Sequence, residues 1–110
     1  MQPAVAESRI GYPSVAAALD AVRAKPGVHT SSQDGWTIIE DGQALTMWSF
    51  TPPSDAAHPA VVQRKVVQEG DDIFVDTNIL CEGPKPACDQ LTARFNDLNN
   101  KVRDRLNEKQ

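Results

Sequence analysis

The chain predicts an α+β fold. The expectation is an antiparallel sheet of about five strands, a meander plus a hairpin, flanked by an N-terminal and a C-terminal helix on one face. Three observations lead there. Segments near both ends repeat apolar residues at helical spacing, Asp-Gly and Gly-Asp pairs punctuate the middle, and apolar and polar residues alternate between those turns. At 110 residues the chain is long enough for one domain.

Residues 1–12 carry no period and read as a flexible leading segment, which leaves 13–110 as the single domain. Ser14 reads as a helix N-cap, because its hydroxyl can accept from an orphan backbone N–H. Val15, Ala18, Leu19 and Val22 follow at i, i+3, i+4 and i+7 and make one apolar stripe. Lys25-Pro26-Gly27 ends that helix: proline disfavours helix at the residue before it, and glycine permits a left-handed exit.

Asp34-Gly35 and Asp41-Gly42 each fit a two-residue hairpin, whose type I′ turn needs positive φ at both positions. They join strands near 28–33, 36–40 and 43–51, and the second turn sets Trp36 opposite Met47 and Ile38 opposite Leu45. Residues 52–59 are a loop, since their prolines lack donors and fix φ. Strands over 60–68 and 73–81 pair around Gly70-Asp71, so that Val62 faces Ile79, Lys65 faces Asp76, Val66 faces Val75 and Val67 faces Phe74. One face of that hairpin holds Val62, Val66, Ile73, Val75, Ile79 and Cys81; the other holds Gln63, Lys65, Asp76 and Asn78. Arg64 and Thr77 fall on the apolar face, where Arg64 must sit near an edge or find a partner. A last helix starts near Pro86 or Ala87, with Cys88, Leu91, Phe95, Leu98, Val102 and Leu106 as its stripe.

The two cysteines are the strongest chemical signal. Cys81 continues the core-facing parity of its strand, Cys88 heads the apolar stripe of the helix, and the short connection between them carries Pro84 and Pro86. A strand end and a helix start that meet this way come within bridging distance, so a disulfide is the expectation. Its eight-residue loop predicts ~2.5 kcal/mol of chain-entropy stabilisation. Two buried free thiols are the bland alternative, and metal or redox chemistry is the third. Zinc would want more ligands at tighter spacing, and a C-x-x-C redox motif is absent.

Composition narrows the function classes. A net charge of −4 without clustered Lys or Arg argues against nucleic acid and against an anionic membrane surface. No apolar run approaches the ~18 residues of a membrane span. Met1-Gln2-Pro3-Ala4-Val5 has neither the basic start nor the hydrophobic stretch of a signal peptide. With the disulfide in view, the expectation is a periplasmic or secreted protein whose leader is not part of this sequence; a cytosolic protein is the alternative.

No catalytic, metal or cofactor motif is present. His29 and His58 read as surface histidines, although either would be the base of a small enzyme. Glu69, Asp71 and Asp72 read as turn residues, since the twelve-position calcium-loop pattern is missing. The aromatics are more informative. With both helices on one face, Ile39, Trp48 and Phe50 lie on the open face of the sheet. They and the loop residues Pro52, Pro53 and His58 form the candidate binding surface. The same residues are simply covered if the sheet curls or the proline loop folds over them.

The order helix, meander, hairpin, helix, with the segment Leu80-Cys81-Glu82-Gly83-Pro84-Lys85-Pro86-Ala87-Cys88-Asp89, resembles the small uncharacterised exported proteins of Gram-negative bacteria. The resemblance covers residues ~12–108. It implies an envelope location and carries over no catalytic residue. The functional expectation is a non-enzymatic, disulfide-stapled binding module that needs no cofactor. Its partner would be a protein or peptide of the cell envelope. The alternative is a small inhibitor or protective protein that acts through the loop 52–59.

Overall fold

The structure, a computed structural model, describes residues 10–108, with side chains through Arg105. It contains α1 (Val15–Arg23), β1 (His29–Gln33), β2 (Trp36–Asp41), β3 (Thr46–Phe50), β4 (Ala60–Glu69), β5 (Asp72–Cys81) and α2 (Lys85–Glu108). The five strands form one antiparallel sheet in the order β1-β2-β3-β4-β5. The α+β class and all five strands are those the sequence predicts.

Local chemistry sets the elements. Ser14 is extended, and its Oγ accepts from Ala17 N–H at 3.1 Å to start α1. The carboxylate of Glu82, from the chain after β5, accepts from Val15 N–H at 3.1 Å and places a negative charge at the positive end of the helix. Asp34 and Gly35 both have positive φ, 54° and 86°, and make the type I′ turn between β1 and β2. The β4–β5 register is the predicted one throughout, with Val62 opposite Ile79 and Lys65 opposite Asp76.

The second Asp-Gly pair behaves differently. Asp41 is the last residue of β2 and pairs with Thr46, so the connection is the four residues 42–45. Glu40, not Trp36, lies opposite Met47. The Asp41 carboxylate is the cause. Its Oδ1 accepts from Ala44 N–H at 3.3 Å, and its Oδ2 lies 2.5 Å from Lys25 Nζ, so the side chain shapes the loop rather than sitting in a two-residue turn. The positive φ of the loop falls on Leu45, at 52°.

The two helices lie on opposite faces of the sheet, not on one. Val15, Ala18 and Val22 of α1 pack with Ile39, Trp48, Phe50 and Val61. Leu91 of α2, flanked by Ala87 and Phe95, packs with Ala60, Val62, Trp36 and Ile79. Neighbours such as Val61 and Val62 feed different layers because strand side chains alternate between faces. Each face carries its own apolar set, and each large side chain buried on it contributes ~1.5–3 kcal/mol, so both faces need a cover. Ile10 is 3 % exposed in the α1-side core, and Tyr12 stands edge-on to Trp48 with ring centroids 5.9 Å apart. The domain therefore reaches back at least to Ile10, inside the leading segment read from the sequence; residues 1–9 of that segment lie outside the described residues.

Candidate ligand-binding groove

The predicted surface around Trp48 is not a surface. Ile39, Trp48 and Phe50 are 0 %, 6 % and 3 % exposed beneath α1. Pro52 is buried, and only Pro53 and His58 of the predicted set are exposed, on the loop 52–59. The reason is the helix placement: the face expected to be open is the one α1 covers.

The proline loop is braced rather than free. Asp55 accepts from Ala57 N–H through Oδ1 at 2.9 Å, and its other oxygen lies 3.6 Å from Arg94 of α2. His58 Nδ1 sits 2.9 Å from Thr51 Oγ1, and the His58–Pro59 peptide is cis. Ala57 is fully buried in the α2-side core. Gly83 allows this closeness: a Cβ there would stand 2.4 Å from the Ala57 carbonyl oxygen.

Cys81 and Cys88 form a disulfide, with Cα atoms 5.8 Å apart. It joins the end of β5 to the first turn of α2 and fixes where the helix leaves the sheet. From there Leu91 and Phe95 face the strands. Further along, Asn99 rather than Leu98 is the buried residue, 8 % against 42 % exposed. The stripe read from the sequence thus shifts by one position at this turn; Leu106 lies outside the described side chains.

A groove of about 500 Å³ lies between the C-terminal half of α2 and the distal ends of β2–β5. Leu45, Met47, Val66, Val75 and Val102 supply apolar walls. Leu45 and Val66 are 59 % and 43 % exposed, so the rim is apolar and open. Polar groups break the lining: Glu40, Asp41 and Thr46 on the β2–β3 side, and Arg64 and Asn99. Asn99 Nδ2 donates to Thr77 Oγ1, and the amide oxygen on the other side is buried without a partner. Arg64 is half-buried, its guanidinium carbon 5.2 Å from the Phe95 ring centroid and Nη2 3.2 Å from Met47 Sδ. Its Nε is buried with no hydrogen-bond partner. No carboxylate pairs with it among the described residues, and burial pushes its pKa down from the ordinary value. The two acids at the groove leave this cation uncompensated: Asp41 is engaged by Lys25, and Glu40 is exposed.

Sequence reading placed Arg64 on the apolar face and required an edge or a partner for it. The ring of Phe95 and the thioether of Met47 are what it meets, and neither supplies a counter-charge. Asn99 was missed. Its signal was its position four residues beyond Phe95 and eight beyond Leu91, both of which face the sheet. His29, exposed on edge strand β1, stands opposite the groove residue Glu40 without itself lining the groove, and His58 lies on the loop 52–59. No group of three or more His, Cys, Asp or Glu side chains able to hold a metal ion occurs among the described residues. No helix among them is long and apolar enough to cross a membrane.

No family model, no curated protein and no solved structure matches this chain.

Proposed function

We propose that the chain is a non-catalytic binding module of the periplasm or the extracellular space, and that its binding element is the groove under the C-terminal half of α2. The observation that carries this reading is an open groove whose apolar walls are joined by the polar side chains of Arg64 and Asn99. A cavity of about 500 Å³ is within the size range of ligand sites, and such sites join apolar linings to a few fixed polar groups. Arg64 adds to this lining a cation that no carboxylate pairs among the described residues. Leu45 adds to this: an exposed leucine held at positive φ on the rim is strained, and strain of that kind gathers at functional sites.

Export is supported by the disulfide, since such bonds persist in oxidising compartments. The absence of a basic cluster in the sequence favours a partner other than nucleic acid. The test is a methyl NMR titration of the oxidised protein with decanoate, decanol and decylammonium. Shifts gathered on Val66, Val75 and Val102 are expected for at least one probe. Absence of such shifts for all three would remove the groove as a binding element.

The second reading, an inhibitor that presents residues 52–59, is favoured by the bracing of that loop, which holds Pro53 and His58 exposed on a fixed backbone. Pro53→Ala and His58→Ala leave the groove untouched. Loss of partner binding in those variants alone would select this reading over the first.

A further inference from the structure

We propose that the outer edge of β5 pairs antiparallel with β5 of a second copy of this chain, about a two-fold axis at Thr77, and joins two five-stranded sheets into one. This goes beyond the binding-module reading and does not rest on the groove.

The edge is open. β5 ends the sheet order, and no described strand lies beyond it. Its ten residues include no proline, lysine or glycine, and its pairing with β4 has no bulge, so only Asp72 and Asp76 guard it against another strand. The opposite edge, β1, is five exposed residues without an apolar one. Val61 and Val62 are fully buried, whereas their cross-strand partners Leu80 and Ile79 stay partly exposed. Phe74 is half-buried and belongs to neither apolar core.

The ladder fixes which backbone groups the edge offers. Val66 N–H donates to the Leu45 carbonyl and Thr51 N–H to the Ala60 carbonyl, so even-numbered residues of β4 bond toward β3. Odd-numbered ones then bond toward β5, and Glu82 N–H on the Pro59 carbonyl, one pair beyond the strands, keeps that parity. Even-numbered residues of β5 are therefore spent on β4, while Ile73, Val75, Thr77 and Ile79 turn N–H and C=O outward. In an antiparallel joint outward residues must meet outward residues, so the two-fold axis passes where one residue meets its own copy. Charge selects the residue. An axis at Asp76 opposes two carboxylates, and an axis at Val75 sets Asp76 against Phe74. An axis at Thr77 sets Asp76 opposite Asn78, Val75 opposite Ile79 and Phe74 opposite Leu80, which matches polar with polar and apolar with apolar. The Phe74–Leu80 pairs are non-hydrogen-bonded ones, whose side chains stand closest. The helix does not obstruct this. Leu91 of α2 packs with Ala60 and Val62 of β4 as well as Ile79 of β5, and Asn99 bonds Thr77, so α2 straddles the two strands. Strands ~4.8 Å apart then set the two α2 axes roughly 10 Å apart, a helix-packing distance.

The experiment follows the full oxidised chain by sedimentation velocity from about 1 to 500 µM, with amide hydrogen exchange at both ends of that range. The expected result is a doubling of mass with concentration, together with slower exchange at Val75, Thr77 and Ile79 and unchanged exchange along β1. Two variants at the exposed side of the ladder test the register. Asn78→Asp sets a second carboxylate opposite the partner's Asp76 and should weaken the dimer about fivefold or more, while Asn78→Lys sets a cation there and should tighten it. Far-UV circular dichroism verifies that both variants fold. A monomer mass at every concentration would overturn the proposal. If Val75, Thr77 and Ile79 were then protected throughout, a segment of this chain would hold the edge; free exchange would leave it to a foreign strand. A dimer with unchanged exchange at those three residues would also overturn it, in favour of another face, as would a dimer indifferent to both Asn78 substitutions.

Discussion

Replacing Arg64 with methionine should make the protein more stable. The substitution keeps an unbranched chain out to about the position of Nε and removes the guanidinium with its charge. In the native protein the Nε–H is buried without a partner, and a group in that state costs about 1–3 kcal/mol. The half-buried guanidinium adds a desolvation cost that no carboxylate offsets among the described residues. Against this stands the stacking of the cation on the Phe95 ring, centred 5.2 Å away, a contact worth roughly 0.5–1 kcal/mol where solvent reaches it. Methionine recovers part of that loss through a sulfur–aromatic contact of roughly 0.3–1.5 kcal/mol. The net expectation is a gain of about 1–2 kcal/mol. With an unfolding entropy of roughly 2.1 cal/mol/K per residue over 110 residues, that gain raises Tm by about 4–9 °C. Thermal and urea unfolding followed by circular dichroism at neutral pH, with the disulfide intact, reads both quantities. A loss of 1 kcal/mol or more would refute the reasoning. It would mean that Arg64 is satisfied in the free protein, and that the groove holds no unspent interaction for a ligand.

Three further outcomes are expected. Gly83→Ala should destabilise by about 1–3 kcal/mol in urea melts, because the new Cβ collides with the backbone of the buried Ala57 rather than with a flexible side chain. Reducing the Cys81–Cys88 disulfide, or replacing both cysteines with alanine, should lower unfolding free energy by about 2.5 kcal/mol; an unchanged urea midpoint would show that the loop is held without it. Lys25 holds the Asp41 carboxyl below its ordinary pKa, so Asp41 stabilises the fold above about pH 4, and that contribution is lost as pH falls through the lowered value. Asp41→Asn should therefore flatten the acid limb of the stability profile, and an acid limb as steep as the native one would place the titrating group elsewhere.

The β4–β5 register was legible because two ten-residue strands meet at one short turn, and slipping either by one residue would move Val62 and Ile79 to the other face. The β2–β3 register was not, because Asp41 looks identical in sequence whether it occupies a type I′ turn or caps a longer loop. What distinguishes the two is Lys25, sixteen residues away. The resulting slip moved the Met47 partner from Trp36 to Glu40, four residues, and an even slip keeps every side chain on its face. The assignment of Ile39, Trp48 and Phe50 to one face therefore survived while their pairing did not. Their exposure failed for a different reason. Parity separates two faces but does not say which helix covers which. The covering follows from counting: Ile39, Trp48, Phe50 and Val61 on one face, and Trp36, Val62 and Ile79 on the other, are two apolar sets, and there are two helices to bury them.

The groove was visible only as a pair of violations. Arg64 sits where the alternation of β4 calls for an apolar residue, between Val62 and Val66 on the same face. Asn99 sits on the sheet side of α2, with its amide on the Thr77 hydroxyl of β5. Either alone would be a tolerated defect: an arginine can bury its stem and keep its head wet, and a buried asparagine can bond to the backbone. Here neither escape is complete, since Arg64 Nε and Asn99 Oδ1 are both inaccessible and unpaired, and both residues line the same apolar cleft. Locally consistent sequences break their own rules mainly at functional sites. The stability gain expected on removing Arg64 is the same statement in energetic form: the protein carries a buried donor that no described residue satisfies.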